Sequence, residues 1–171
     1  ELQNIHAPLE NVLHLLQQDL SESGIDLIKD YDPSIPEISI DIYLLEQSVL
    51  NLVKNAKESL EEGEVFSPEI RIVTRVLRQE FLGQTQHKTV CSISVRDNGP
   101  GIPKDLKDSI FFPMISSKAT GSGLGLSITQ GIISQHNGII KCESEPGKTE
   151  FSILIPIKHQ VHDQELRRAN A

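Results

Sequence analysis

Apolar residues recur at helical spacing over the first twenty positions, where Ile5, Leu9, Val12, Leu13, Leu16 and Leu20 share one face. The pattern predicts an amphipathic helix with Asn4 as N-cap and Pro8 near its first turn, ended by Gly24. Residues 25–31 read as a short strand, closed by Asp32-Pro33 and Pro36. A second helix is predicted over residues 42–61, with Leu45, Val49, Leu52, Val53, Ala56 and Leu60 as its stripe. Residues 70–77 and 89–96 read as strands, and the polar stretch 78–88 between them as a loop. The segment 99–121 lacks periodicity and is long for a connector, which marks a functional loop. A third helix is expected over 124–135, stopped by His136-Asn137-Gly138. Residues 139–144 and 149–157 pair as a hairpin across Glu145-Pro146-Gly147-Lys148.

This order of elements implies helices layered on one face of a mixed, mostly antiparallel sheet. The expected fold class is therefore α+β, a two-layer α/β sandwich. One domain is expected over residues 1–158, followed by a polar, mobile tail at 159–171.

Composition narrows the function classes. With 171 residues and 37% hydrophobic content, the chain can bury one sizeable core, built on Ile, Leu and Val because aromatics are only 4%. A net charge of −8 argues against nonspecific binding to nucleic acid or anionic membranes. No apolar run reaches the ~18 residues of a membrane span, and the expected location is the cytoplasm. The two cysteines, Cys91 and Cys142, fall inside apparent strands and read as buried thiols in a reducing compartment.

Candidate chemistry begins at Gly121-Ser122-Gly123-Leu124-Gly125-Leu126, a glycine-rich run that opens the third helix. A helix N-terminus leaves backbone N–H groups unpartnered and carries partial positive charge, so it attracts anions. Asn51 and Asn55, four apart, share a helix face roughly 110–150° from the centre of the apolar stripe. Such a pair is either solvated or turned to a ligand, where amide oxygens hold Mg²⁺ and amide hydrogens bond phosphate. Asp97 ends a strand ahead of Gly99 and Gly101, and is either a turn acid or an acceptor for an exocyclic amine. Ser116-Ser117-Lys118 adds hydroxyls and a cation just before the glycines, where a triphosphate tail needs a lid.

Together these segments resemble the nucleotide-binding domain of sensor histidine kinases, within the wider family that includes gyrase B, Hsp90 and MutL. The stretch from Leu45 to Ala56 is similar to the family's N box, and Asp97-Asn98-Gly99-Pro100-Gly101-Ile102 to its G1 box. Ile110-Phe111-Phe112-Pro113-Met114 resembles the F box, the run from Gly121 to Leu126 the G2 box, and Gly147-Lys148-Thr149-Glu150-Phe151 the G3 segment. The segment from Lys29 to Glu37 and Phe112-Pro113-Met114-Ile115-Ser116 look like the nitrogen-regulation branch of these kinases.

The resemblance implies a Bergerat-type ATP-binding fold that uses ATP and Mg²⁺. It gives Asn55 the Mg²⁺ and Asn51 a supporting role, with Asp97 bonding the adenine amine. Gly99, Gly101, Ile102 and Thr149 would shape the base site. Lys118, Gly121, Ser122, Gly123, Leu124, Gly125 and Leu126 would hold the phosphates. Asn51, Asn55 and Lys118 are then the catalytic candidates. In ATP-hydrolysing relatives the position of Asn51 is generally a Glu acting as general base; an amide accepts no proton at neutral pH, which favours a histidine kinase. A GHKL-type ATPase or a degenerate binding module is the alternative.

His6-Ala7-Pro8-Leu9 superficially resembles a phosphoacceptor motif but lacks its acidic neighbour and its Asn-Pro pair. The expected acceptor is therefore a histidine on a separate dimerisation domain, and this chain alone is expected to be a monomer. The other implied partners are an NtrC-like response regulator and the trimeric signal protein PII, for which segments 78–88 and 103–120 are candidate contacts.

Overall fold

A computed structural model of the chain describes residues 2–113 and 124–158. Three helices, α1 (His6–Glu22), α2 (Ile42–Glu62) and α3 (Gly125–Gln135), pack on a five-stranded sheet. Its strands are β2 (Asp26–Asp30), β4 (Glu69–Leu82), β5 (Thr85–Asp97), β6 (Ile139–Glu145) and β7 (Lys148–Pro156), in the order β2-β4-β5-β7-β6. Among the described residues only the β2–β4 pairing is parallel. This is the expected two-layer α+β arrangement.

Burial follows the stripes read from the sequence. Leu45, Val49, Leu52 and Val53 of α2 are fully buried, as are Leu9 and Leu13 of α1. They meet Ile70, Ile72, Cys91, Ile93, Phe151 and Ile153 on the helix-facing side of the sheet. The Asp41 carboxylate caps α2 by accepting the Leu44 N–H at 3.1 Å, which satisfies one orphan donor of the first turn. At α1 the N-cap is Ile5 rather than Asn4; Asn4 Oδ1 instead accepts the His6 N–H at 2.9 Å.

The segment 78–88 is not a loop. β4 and β5 continue through it as one long hairpin, pairing Arg78 with Thr89, Glu80 with His87 and Leu82 with Thr85. Gly83-Gln84 makes the turn, with Gly83 at φ +64. The helix layer does not reach this end, so the strands have no core to alternate against. Leu82 folds back onto Val90 and Leu154 in a small separate cluster. The β6–β7 turn is likewise two residues tighter than expected, with only Pro146 and Gly147 between paired Glu145 and Lys148. Two short strands absent from the sequence reading, β1 (Leu2–Gln3) and β3 (Ile38–Ser39), pair antiparallel just ahead of α1 and α2. The tail 159–171 lies outside the described residues.

Candidate functional site

The site is organised by one face of α2. Asn51, Asn55 and Ser59 follow at steps of four, so they stack along the helix with a little over one turn, ~6 Å of rise, between neighbours. At one end Asn51 Nδ2 donates to the Gly125 carbonyl at 3.4 Å and to Thr129 Oγ1 at 3.3 Å. Both distances are longer than the usual N–H···O range. Thr129 is fully buried and donates to the same Gly125 carbonyl at 2.9 Å. Asn51 therefore abuts the first turn of α3.

At the other end Ser59 lies against the loop that follows β5. A Cβ built on Gly99 would stand 3.1 Å from Ser59 Oγ, and one on Gly63 would stand 2.8 Å from Pro100 Cδ. Asp97 is 4% exposed, and its Oδ1 accepts the Gly99 N–H at 2.9 Å. Thr149, also 4% exposed, is the direct β7 partner of Asp97. Half-buried Asn55 sits between these ends by helical geometry.

The loop after Asp97 is braced by the β6–β7 hairpin. Gly147 N–H donates to the Gly99 carbonyl at 2.9 Å, and Ile102 N–H donates to Ser144 Oγ at 2.8 Å. Ser144 Oγ lies 2.9 Å from Thr149 Oγ1, and Lys107 Nζ donates to the Ser144 carbonyl. Gly101 takes φ +87, and a Cβ there would stand 2.8 Å from the Glu145 carbonyl oxygen. Phe111 meets Phe151 edge-on at 6.3 Å, which seats Phe111 on the sheet. Nearby, Cys142 is half-buried; burial pushes its thiol up to about 11, with Asp97 and Glu143 adding to the shift and Lys107 opposing it. Cys91, buried in the sheet, is pushed up to about 12, and both thiols are free.

The family model described as histidine kinase-, DNA gyrase B-, and HSP90-like ATPase matches residues 40–159. The chain belongs to this family. It is 44% identical over 155 residues to the sensory histidine kinase/phosphatase NtrB of Vibrio alginolyticus, covering 91% of this chain and 43% of that protein. The chain thus spans less than half the length of that relative. Its fold matches the nucleotide-free catalytic domain of histidine kinase ThkA with TM-score 0.74 and 28% identity, over 92% of this chain and 96% of that one. Full-length ShkA in complex with AMPPNP gives TM-score 0.74 at 25% identity, over 92% of this chain and 31% of ShkA.

Within this histidine kinase-like ATPase fold, the α2 face and the braced loop bring together Asn51, Asn55, Asp97, Gly99, Gly101, Ile102 and Thr149. Leu124, Gly125 and Leu126 stand at the α3 start, where Leu124 is the N-cap residue. Lys118, Gly121, Ser122 and Gly123 lie outside the described residues. Sequence reasoning did not single out Ser59, Thr129 or Ser144, since each is an ordinary polar residue until its partner is known.

His6 is engaged elsewhere. It stacks on Tyr31 with centroids 4.7 Å apart, and its Nε2 lies 2.9 Å from Thr74 Oγ1. His136 ends α3, where Nδ1 bonds the Ile132 carbonyl and Nε2 accepts the Asp41 N–H at 3.1 Å. Among the described residues no helix is long and apolar enough to cross a membrane.

Proposed function

We propose that this chain is the ATP-binding catalytic domain of a nitrogen-regulation sensor histidine kinase. It binds Mg-ATP and passes the γ-phosphoryl group to a histidine on a separate dimerisation domain. The observation that carries this reading is the continuous α2 face, with Asn51 against the α3 start and Ser59 beside Asp97 and Gly99. A nucleotide laid along that face has its base at Asp97 and its phosphates at α3.

At the base end, the Asp97 carboxylate accepts from an exocyclic amine and the Thr149 hydroxyl completes the edge. Gly99 and Gly101 let the loop backbone run close to both, and Ile102 supplies an apolar wall. At the phosphate end, the first-turn N–H groups of α3, from Leu124 through Leu126, favour an anion. Lys118, Gly121, Ser122 and Gly123 would close over it from the preceding segment.

Among the described residues no three His, Cys, Asp or Glu side chains gather into a metal cage. A lone amide oxygen suits Mg²⁺, which is commonly held by one or two side chains together with substrate phosphates and water. Asn55 would hold it, and the ion when bound neutralises charge across the phosphates. Phosphoryl transfer needs positioning and charge neutralisation more than covalent help from the protein.

Asn51 offers no proton-accepting group, and α3 already takes its amide hydrogens. Water would go unactivated beside it, whereas a neutral imidazole nitrogen is a nucleophile without help. This favours a histidine acceptor over hydrolysis. An NtrC-like response regulator and PII are the partners the reading implies, with segments 78–88 and 103–120 as the candidate PII contacts.

The test mixes this chain with a separately made acceptor-histidine dimerisation domain and γ-labelled ATP. Label should appear on the added domain and be lost in Asn55→Ala and Asp97→Ala. Label on this chain itself, or release only as free phosphate, overturns the reading.

A further inference from the structure

We propose that Ser144 is a positioning residue that sets the direction of the Thr149 hydroxyl and so makes the site select adenine over guanine. This rests on the nucleotide reading above and adds to it the residue that fixes base preference.

Ser144 is half-buried on β6, two residues before Pro146 opens the Pro146-Gly147 turn. Its Oγ accepts the Ile102 N–H at 2.8 Å and lies 2.9 Å from Thr149 Oγ1. A backbone N–H only donates, so one lone pair of the serine oxygen is committed. Among the described residues, Thr149 Oγ1 is the serine oxygen's other partner, at a distance where either hydroxyl can donate, and we assign the serine proton to that bond because the serine oxygen already accepts one N–H. Thr149 accepts that proton and keeps its own to give.

Thr149 stands directly across the β5–β7 pairing from Asp97, and both are almost fully buried. A carboxylate that only accepts is thus placed beside a hydroxyl set to donate. Adenine offers an amine donor next to a ring-nitrogen acceptor, which matches this pair. Guanine offers O6, an acceptor, where adenine has its amine, and a ring N–H next to it. Against guanine the same pair would face acceptor with acceptor and donor with donor, and an unmade buried hydrogen bond is what discriminates strongly.

The serine cannot drift from this position. Gly147 N–H to the Gly99 carbonyl, Lys107 Nζ to the Ser144 carbonyl, and the close approach of Gly101 to Glu145 lock the hairpin to the loop on either side of it. The Ile102 N–H is therefore delivered to Ser144 by backbone geometry, whatever the ligand does.

The experiment measures ATP and GTP binding, each with Mg²⁺, by calorimetry on the 171-residue chain and on Ser144→Ala and Ser144→Thr, alongside ligand-free melting. Without the serine, the Thr149 hydroxyl is free to turn. Ser144→Ala should weaken ATP binding roughly three- to tenfold while GTP binding holds, so the preference narrows by that factor. Ser144→Thr, which keeps a hydroxyl, should restore it. Loss of the Ile102 partner lowers the melting temperature somewhat in any case, so the ATP-to-GTP ratio is the deciding readout. Equal weakening for both nucleotides, or an unchanged ratio, overturns the proposal and leaves Ser144 a brace. If Ser144→Ala does not fold, Ser144→Cys carries the same test, because a thiol is a weak donor. A parent chain that binds neither nucleotide at millimolar concentration defeats the nucleotide reading itself. One that binds both equally defeats only the base selection.

Discussion

Gly99 and Asp97 are packed so closely that a Cβ on the glycine would stand 2.7 Å from the carboxylate Oδ1. The glycine N–H also donates to that oxygen at 2.9 Å, so the two residues hold each other in place. Gly99→Ala must push the carboxylate aside, since Ser59 Oγ blocks the other direction. A hydrogen bond to a charged group contributes about 1.5–3 kcal/mol, so nucleotide affinity should fall by roughly ten- to a hundredfold. Calorimetric titration with ATP checks this, and an affinity within twofold of the parent would contradict it.

Gly101 is constrained by conformation as well as by space. It takes φ +87, and a Cβ would meet the Glu145 carbonyl oxygen at 2.8 Å. Gly101→Ala combines a left-handed backbone with a clash against main chain, which has no flexible end to yield. The expected loss is about 2 kcal/mol of stability, roughly 4–8 °C in Tm for a chain of this size. Thermal denaturation without ligand is the measurement, and an unchanged Tm would show that the loop is not held by the hairpin.

The stripes of α1 and α2 were legible in the sequence because each helix has one face in the core and one in water. The β4–β5 hairpin was not, because residues 78–88 extend past the helix layer and show no alternation. Their strand character comes from main-chain pairing, which leaves no mark on residue type. Asn51 and Asn55 were legible as one helix face from their spacing, and Asp97 as a strand end from the glycines beside it. Ser144 was not, because its role depends on a loop forty residues away in sequence arriving with the Ile102 N–H. Thr129 was hidden for the same reason, since only the packing of α3 on α2 brings it to Asn51.

Asn51→Asp isolates the contact between α2 and α3. The substitution keeps the shape and removes both amide hydrogens, so a carboxylate oxygen faces the Gly125 carbonyl in place of a donor. Acceptor against acceptor at a partly buried site costs about 1–3 kcal/mol. The first turn of α3 should loosen, and phosphotransfer to the added acceptor domain should fall more than ATP affinity does. Single-turnover transfer measured beside calorimetric binding separates the two. Equal losses in both would mean that Asn51 serves only to hold nucleotide.

His6 gives the fold a pH dependence with a defined sign. Burial holds its pKa below the usual 6.5, against the upward pull of Asp32 and Glu10. Its ring is stacked on Tyr31, whose hydroxyl donates to Glu10 and whose own pKa is raised by burial and by that bond. The folded chain therefore resists the proton that the unfolded chain accepts. Stability from this group is complete above 6.5 and declines as pH falls from there to the lowered folded value. Glu10 and Asp32 act in a separate window, because their folded pKa values are depressed below 4.5 and 3.8, and what they contribute is lost only at lower pH. His6→Gln retains a donor and an acceptor toward Thr74 but does not titrate. Melting temperatures taken from about pH 7.5 down to about pH 5.5 should fall less steeply for this variant than for the parent. Parallel curves would show that another group carries the dependence and that His6 is solvated rather than held against Tyr31.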